Sequence, residues 1–222
     1  MTGSTITDGE FERLRRFFMA ASGIRLADTK KVLVCGRLAK RLRELGLASY
    51  RAYLDFIEAP AGRAERQTAV DLLTTNETYF FREPKHYELL EQELARMGSL
   101  VPISVWSAAS SFGDEAYSTA MLMADLQLIG KIGPSWSILA TDISHRVLLS
   151  AKEAIYPEDR LRAVSPERLR RYCLRGEGEC LLRRAALAID RCAGAGLRKL
   201  RSQHDVARNV GRTARTLLAM QD

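Results

Sequence analysis

Between Ile103 and Asp142 the chain sets out an order of elements that few architectures can satisfy. Ile103 to Ala108 is a short apolar run rich in β-branched residues, suited to a strand buried on both faces of a parallel sheet. The small-residue turn Ser110-Ser111-Phe112-Gly113 follows, and Asp114 to Leu128 reads as a helix with Ala120, Met121, Ala124 and Leu128 inward. Trp136 to Ala140 is a second apolar run, ended by Thr141 and Asp142, and Ser144 is placed to cap the next helix. Strand, tight turn, helix, strand and acid in this order make half of a nucleotide-type α/β unit.

The chain ahead of this unit is helical in pattern. Thr7 and Glu10 have capping-box spacing, and Phe11, Leu14, Phe17, Phe18 and Ala21 recur at helical intervals up to Gly23. A second helix is expected from about Lys30 to Leu45, with Leu38, Leu42 and Leu45 on one stripe. Arg37, Lys40 and Arg41 share another face, with Arg43 nearby. Tyr50 to Glu58 is a further short amphipathic segment, Arg66 to Leu73 leads into the motif that opens at Thr74, and Glu83 to Met97 is a longer amphipathic helix. Ser165-Pro166-Glu167 opens a short helix reaching Tyr172.

Three stations carry residues suited to chemistry. The first is Thr74-Thr75-Asn76-Glu77-Thr78-Tyr79-Phe80-Phe81-Arg82-Glu83. Its aromatics, neutral hydrogen-bonding groups and forked Arg82 suit a small-molecule cleft, or equally a turn between helices with a core of phenylalanines. The second is the turn from Ser107 to Glu115, where small residues let a ligand approach the backbone and Glu115 offers an acceptor. A tight strand-to-helix turn whose acids complement the helix dipole explains it too. The third is Asp142, whose place at a strand's carboxyl end is where an acid binds the two hydroxyls of a ribose, or merely begins a helix.

Taken in order, these strings resemble one family. The Asn76-to-Glu83 motif, Val105-Trp106-Ser107-Ala108-Ala109-Ser110 through Gly113-Asp114-Glu115-Ala116-Tyr117-Ser118, and Ala140-Thr141-Asp142-Ile143-Ser144 are similar to the chemotaxis receptor methyltransferase (CheR) family. So are Ile155-Tyr156 and Ser165 through Tyr172, and the resemblance spans about residues 8 to 178. It implies an α/β protein: a small all-helical N-terminal domain (1–80) that docks receptors, then a Rossmann-like S-adenosylmethionine-dependent methyltransferase domain (81–179), here incomplete. It implies an enzyme that moves a methyl group from S-adenosyl-L-methionine to glutamate side chains of chemoreceptors in chemotaxis adaptation. Asn76, Thr78 and Arg82 would contact the cofactor, with Arg82 near the transferred methyl or the cofactor carboxylate. Glu115 would take the methionine side and Asp142 the ribose. The face bearing Arg37, Lys40, Arg41 and Arg43 would dock the receptors' cytoplasmic helices.

A glutamate acceptor is already anionic at neutral pH, so no general base is needed and alignment is the main task. His86, His145 and His204 stand isolated and read as structural, and no metal-type spacing occurs.

Composition matters most after Gly178, where the resemblance stops. From Cys180 to Asp222 there are eight Arg and one Lys against three Asp, so the tail holds most of the chain's formal charge of +7. The tail (180–222) has no Phe, Tyr, Trp or Glu, a bias that translation of a GC-rich gene in a shifted frame produces. The expectation is a truncated or frameshifted form of a longer methyltransferase, with only two parallel strands, an exposed edge on the second and a weakened pocket. Leu181 to Ile189 and Arg212 to Met220 have helical propensity, and Arg208-Asn209-Val210 is a chance echo of a family segment. Two other readings stay open: a non-catalytic receptor-binding module, or a basic nucleic-acid binder, the latter disfavoured by a tail without aromatics. Four scattered cysteines, no apolar run long enough for a bilayer and an acidic start lead us to expect a cytoplasmic monomer without membrane insertion.

Overall fold

A computed structural model describes residues 5–175, 182–183 and 197–202. The chain divides into two compact units, Met1–Thr75 and Asn76–Asp222, so the boundary falls five residues earlier than the one read from sequence.

The first unit is helical. Helix α1 (Asp8–Ser22) starts on a reciprocal capping box, Thr7 and Glu10 each satisfying the other's backbone amide, and Gly23 ends it at φ 72°. Helices α2 (Lys31–Glu44), α3 (Tyr50–Glu58) and α4 (Arg63–Leu73) follow. Their apolar stripes meet in a core of Phe11, Leu14, Phe18, Leu38, Tyr53 and Ile57. Gly62 permits the turn between α3 and α4, since a Cβ there would lie 1.9 Å from the Phe56 carbonyl oxygen. Polar contacts then fix helix against helix. The Arg13 fork spans Asp55 and Glu58 of α3. Arg41 makes a two-pronged bond to Glu65 of α4 at 2.9 and 2.6 Å, and the Tyr53 hydroxyl donates to the same carboxylate at 3.0 Å.

The second unit is α/β. Helix α5 (Pro84–Met97) leads into β1 (Ile103–Ala108), α6 (Asp114–Leu128), β2 (Trp136–Asp142) and α7 (His145–Glu153). Strands β1 and β2 pair in parallel, Ile103 opposite Trp136 through Ala108 opposite Thr141. Helix α6 is apolar nearly all round and wholly buried along one length, from Ala116 to Ala124, as suits the centre of a layered fold. Strand β3 (Ile155–Tyr156), helix α8 (Pro166–Tyr172), β4 (Leu174–Arg175), β5 (Leu182–Arg183) and β6 (Leu197–Ser202) complete the described elements.

The tail corrects one expectation. Strand β6 joins β2 in parallel, with Ile138 opposite Leu197 and Asp142 opposite Ser202, so the main sheet has the order β1-β2-β6 and the edge of β2 is paired. Leu-Arg-Lys-Leu-Arg-Ser has neither β-branched residues nor alternation, so nothing local announces a strand; the pairing is set by the open edge of β2. Strand β5, read as the start of a helix, lies instead between β3 and β4 in a small antiparallel sheet. The other tail expectations, including Arg212 to Met220 and Arg208-Asn209-Val210, fall outside the described residues. Among the described residues no helix is long and apolar enough to cross a membrane.

Glu65, 5% exposed, is the polar hinge of the first unit. Glu65→Ala strands both the Arg41 fork and the Tyr53 hydroxyl, so urea unfolding followed by helical signal is expected to lose roughly 2–3 kcal/mol. Glu65→Gln, which keeps an acceptor, is expected to lose less.

Candidate functional site

Two loops of the second unit face each other across a cleft of about 400 Å³. One side comes from Glu77, Thr78, Tyr79, Arg82 and Glu83, continued by His86 and Tyr87 of α5. The other comes from the end of β1, the loop Ala109-Ser110-Ser111, and Glu115 in the first turn of α6. The cleft thus opens at the carboxyl end of a parallel strand, where open α/β sheets hold ligands.

Both loops are held in backbone conformations that side chains disfavour. Among the described residues, five that are not glycine have positive φ, and four of them are Phe81, Glu83, Ala109 and Ser111. A left-handed residue with a Cβ costs on the order of 1–2 kcal/mol, so the surrounding bonds must over-determine these turns. They do. The Phe81 amide donates to Ser118 Oγ at 2.9 Å, and that hydroxyl donates to the Asp114 carbonyl at 2.6 Å. The Phe80 amide donates to the Arg160 carbonyl at 3.0 Å, and the Phe80 ring meets Tyr156 edge-on at 4.8 Å. On the second loop the Ser110 amide donates to the Thr141 carbonyl, Gly113 closes the turn onto Ser110, and the Tyr156 hydroxyl donates to the Phe112 carbonyl. Gly113 has φ 91°, and a Cβ on it would crowd Ala151, Tyr117 and Tyr156 at 3.0–3.1 Å.

The expected site residues fall in different places. Thr78, Arg82 and Glu115 line the cleft together. Arg82 Nη1 donates to the Glu77 carbonyl at 2.9 Å, which closes the loop and sets the guanidinium at its rim. Glu115 accepts from Ser107 Oγ. Asn76 and Asp142 lie outside the lining. The Asn76 carbonyl accepts from Ser111 Oγ at 3.4 Å. Asp142, 4% exposed at the end of β2, accepts from the Ser111 amide through Oδ2 and from the Ser144 amide through Oδ1, each at 2.8 Å. Its carboxylate therefore ties together the loops that leave β1 and β2. Ser144 precedes α7 as expected, yet its side chain makes no capping bond.

In the first unit the basic face of α2 is divided. Arg37 Nη1 donates to the Leu72 and Thr74 carbonyls, closing the end of α4, and Arg41 is held by Glu65 and Glu44. Lys40 and Arg43 are exposed.

Several cleft residues escape a reading by sequence. Tyr79, Glu83 and His86 line it, and Tyr87 lies beside Glu115, its phenol pushed upward first by burial and then by that acid. Tyr79 and Glu83 sit inside the first motif and could have been taken with it; His86 had no such signal. Arg160 and Ser118 act from elements that spacing alone does not bring near. Buried polar groups also stand unsatisfied here: Ser110 Oγ, Ser144 Oγ and both Asp114 carboxylate oxygens have no hydrogen-bond partner among the described residues. Ser110 belongs to the lining, with its hydroxyl buried behind the surface and without a partner among the described residues. Among the described residues no cluster of His, Cys, Asp and Glu could hold a metal ion.

Comparison with known proteins matches both units. A family model described as the CheR methyltransferase all-alpha domain matches residues 9–74, and one described as the CheR methyltransferase SAM binding domain matches residues 76–186. The chemotaxis protein methyltransferase of Escherichia coli (strain K12) is 39% identical over 173 residues, 78% of this chain and 59% of that protein. That of Salmonella typhimurium is 40% identical over 173 residues, again 78% and 59%. Chemotaxis protein methyltransferase 2 of Pseudomonas aeruginosa is 38% identical over 174 residues, 78% and 60%. The chain spans about three-fifths of the length of these relatives.

Asp114 supplies a test of the site's electrostatics. It is fully buried, and burial pushes its carboxyl up to about 6 although the Arg160 guanidinium, with Nε 3.3 Å away, pulls the other way. Nε lies near enough for charge attraction but lacks the alignment of a hydrogen bond, so desolvation prevails. A carboxyl raised in the folded state contributes stability that is present below its unfolded value and lost as pH rises through about 6. Asp114→Asn is therefore expected to flatten the fall in melting temperature between about pH 4 and pH 6, read by calorimetry at stepped pH.

Proposed function

The chain belongs to the CheR methyltransferase family, and on that footing we propose that its second unit binds S-adenosyl-L-methionine in the cleft between residues 77–83 and 108–115 and serves protein-glutamate methylation of chemoreceptors. The observation that carries this reading is the convergence of Thr78, Arg82 and Glu115 on one cleft at the carboxyl end of β1. These groups fit the cofactor's polar parts. Glu115 accepts from an ammonium group, the Arg82 fork receives a carboxylate, and Thr78 offers a neutral hydrogen bond. When bound, the sulfonium supplies an electrophilic methyl group for displacement by an anionic acceptor oxygen.

The remaining assignments follow from place and charge. Asn76 acts through its backbone hold on Ser111. Asp142 serves the ribose side at the carboxyl end of β2, and it also sets the Ser111 loop through its two amide bonds. The protein's part in the reaction is to align the acceptor with the methyl carbon and keep water out, which asks for no nucleophile or base from the chain. On the first unit, the exposed Lys40, 3.9 Å from Glu44 of its own helix, and the exposed Arg43 are the cations of this face that meet acidic receptor helices, while Arg37 and Arg41 hold the helix in place behind them. Such a protein works in the cytoplasm, on the receptors' cytoplasmic helices. A non-catalytic docking role for the first unit predicts receptor binding without cofactor binding.

Calorimetric titration with S-adenosylhomocysteine tests the reading. Micromolar binding is expected, weakened about tenfold or more by Glu115→Gln, which keeps the shape of the side chain and removes its charge. Absence of heat from folded protein sinks the proposal and favours the docking role.

A further inference from the structure

Arg160 belongs to none of the motifs and lies outside the cleft lining, yet it touches both loops that border the cleft. It lies in the short turn Glu158–Leu161 that follows β3, with its side chain 19% exposed. Its carbonyl accepts the Phe80 amide at 3.0 Å, on the first loop. Its guanidinium lies 4.4 Å above the centre of the Phe112 ring and 5.9 Å from that of Tyr156, with Nε 3.3 Å from Asp114. Phe112 and Asp114 flank Gly113 on the second loop, and Asp114 immediately precedes Glu115, which lines the cleft.

We propose that Arg160 is a positioning residue of the cleft: one side chain and its carbonyl lock the loop of residues 76–83 to the loop of residues 109–115, with Asp114 as its ionic partner. The proposal rests on the functional reading above only for its ligand; the lock itself is a property of the chain. A packing role alone does not explain the partner. Ionised Asp114 costs the fold stability, and an uncharged side chain would fill the same space more cheaply. A buried charge kept at that cost, one residue from a ligand-facing acid, is what a geometry requirement looks like. The charged and titratable groups around Asp114 are Arg160 from the turn, Tyr156 from β3, Tyr87 from α5 and Glu115 on its own helix. Arg146 of α7 also stands over the Phe112 ring, 5.4 Å from its centre.

Hydrogen exchange on the full chain tests the lock without any ligand. In Arg160→Met the amides of Phe80, Phe81 and residues 111–115 are expected to exchange about tenfold faster, Arg160→Lys should recover part of the protection, and α1 to α4 should be unchanged. Asp114→Asn should loosen the same two loops, which keeps the test valid if Arg160→Met fails to fold. Wild-type exchange in Arg160→Lys and Asp114→Asn, or a uniform rise across the second unit, overturns the proposal. A second readout separates positioning from packing. Affinity for S-adenosylhomocysteine should fall as pH drops through about 6 in the wild type and be level in Asp114→Asn. A slope that persists in Asp114→Asn overturns the role of the ion pair. Should the wild type take no S-adenosylhomocysteine, the functional reading fails while the exchange result still decides the lock.

Discussion

The second unit depends on one buried carboxylate. Asp142 ends β2 and spends its oxygens on two backbone amides, those of Ser111 and Ser144. These amides belong to the loops that leave two neighbouring parallel strands, so a single side chain sets where both chains turn away from the sheet. Main-chain donors to a buried anion are strong and directional, and removing such an acceptor leaves two amides without a partner. The placement of Ser110, Ser111, Gly113 and the first turn of α6, and therefore of Glu115, follows from this clamp.

Around that clamp the molecule divides its tolerances unevenly. The first unit is locally consistent: its caps, stripes and helix-to-helix ion pairs all favour the same packing, and the described left-handed residues within it are glycines. The second unit concentrates its inconsistencies at the cleft. Four left-handed side-chain-bearing residues, an unsatisfied Ser110 hydroxyl and a buried acid with a raised pKa lie within two short loops. Departures of that kind gather where a surface is shaped for a ligand rather than for its own stability.

What could be read from sequence follows the same division. Helix α1 was legible to the residue, because a capping box and a terminal glycine are local signals. Strands β1 and β2 and helix α6 were legible because burial on both faces leaves a compositional mark. Thr78, Arg82 and Glu115 could be singled out from motif strings. Arg160 and Ser118 could not, since their roles are contacts across 80 and 37 residues of sequence. Strand β6 was invisible for a different reason: its charged sequence has no strand character of its own and is recruited by the edge of β2. The basic face of α2 read as uniform in sequence, whereas Arg37 and Arg41 are spent on α4.

The recruitment of β6 bears on the order in which the chain can fold. Within the first unit α3 and α4 meet across a short turn, so their contacts can form early and at low entropic cost. The partner of Ile138 is Leu197, and about sixty residues must be looped before that pair closes. During synthesis, β2 therefore waits with one side unpaired while the intervening chain is made. That interval is the vulnerable one for the nascent protein, since an apolar parallel strand with a free edge invites pairing with other chains.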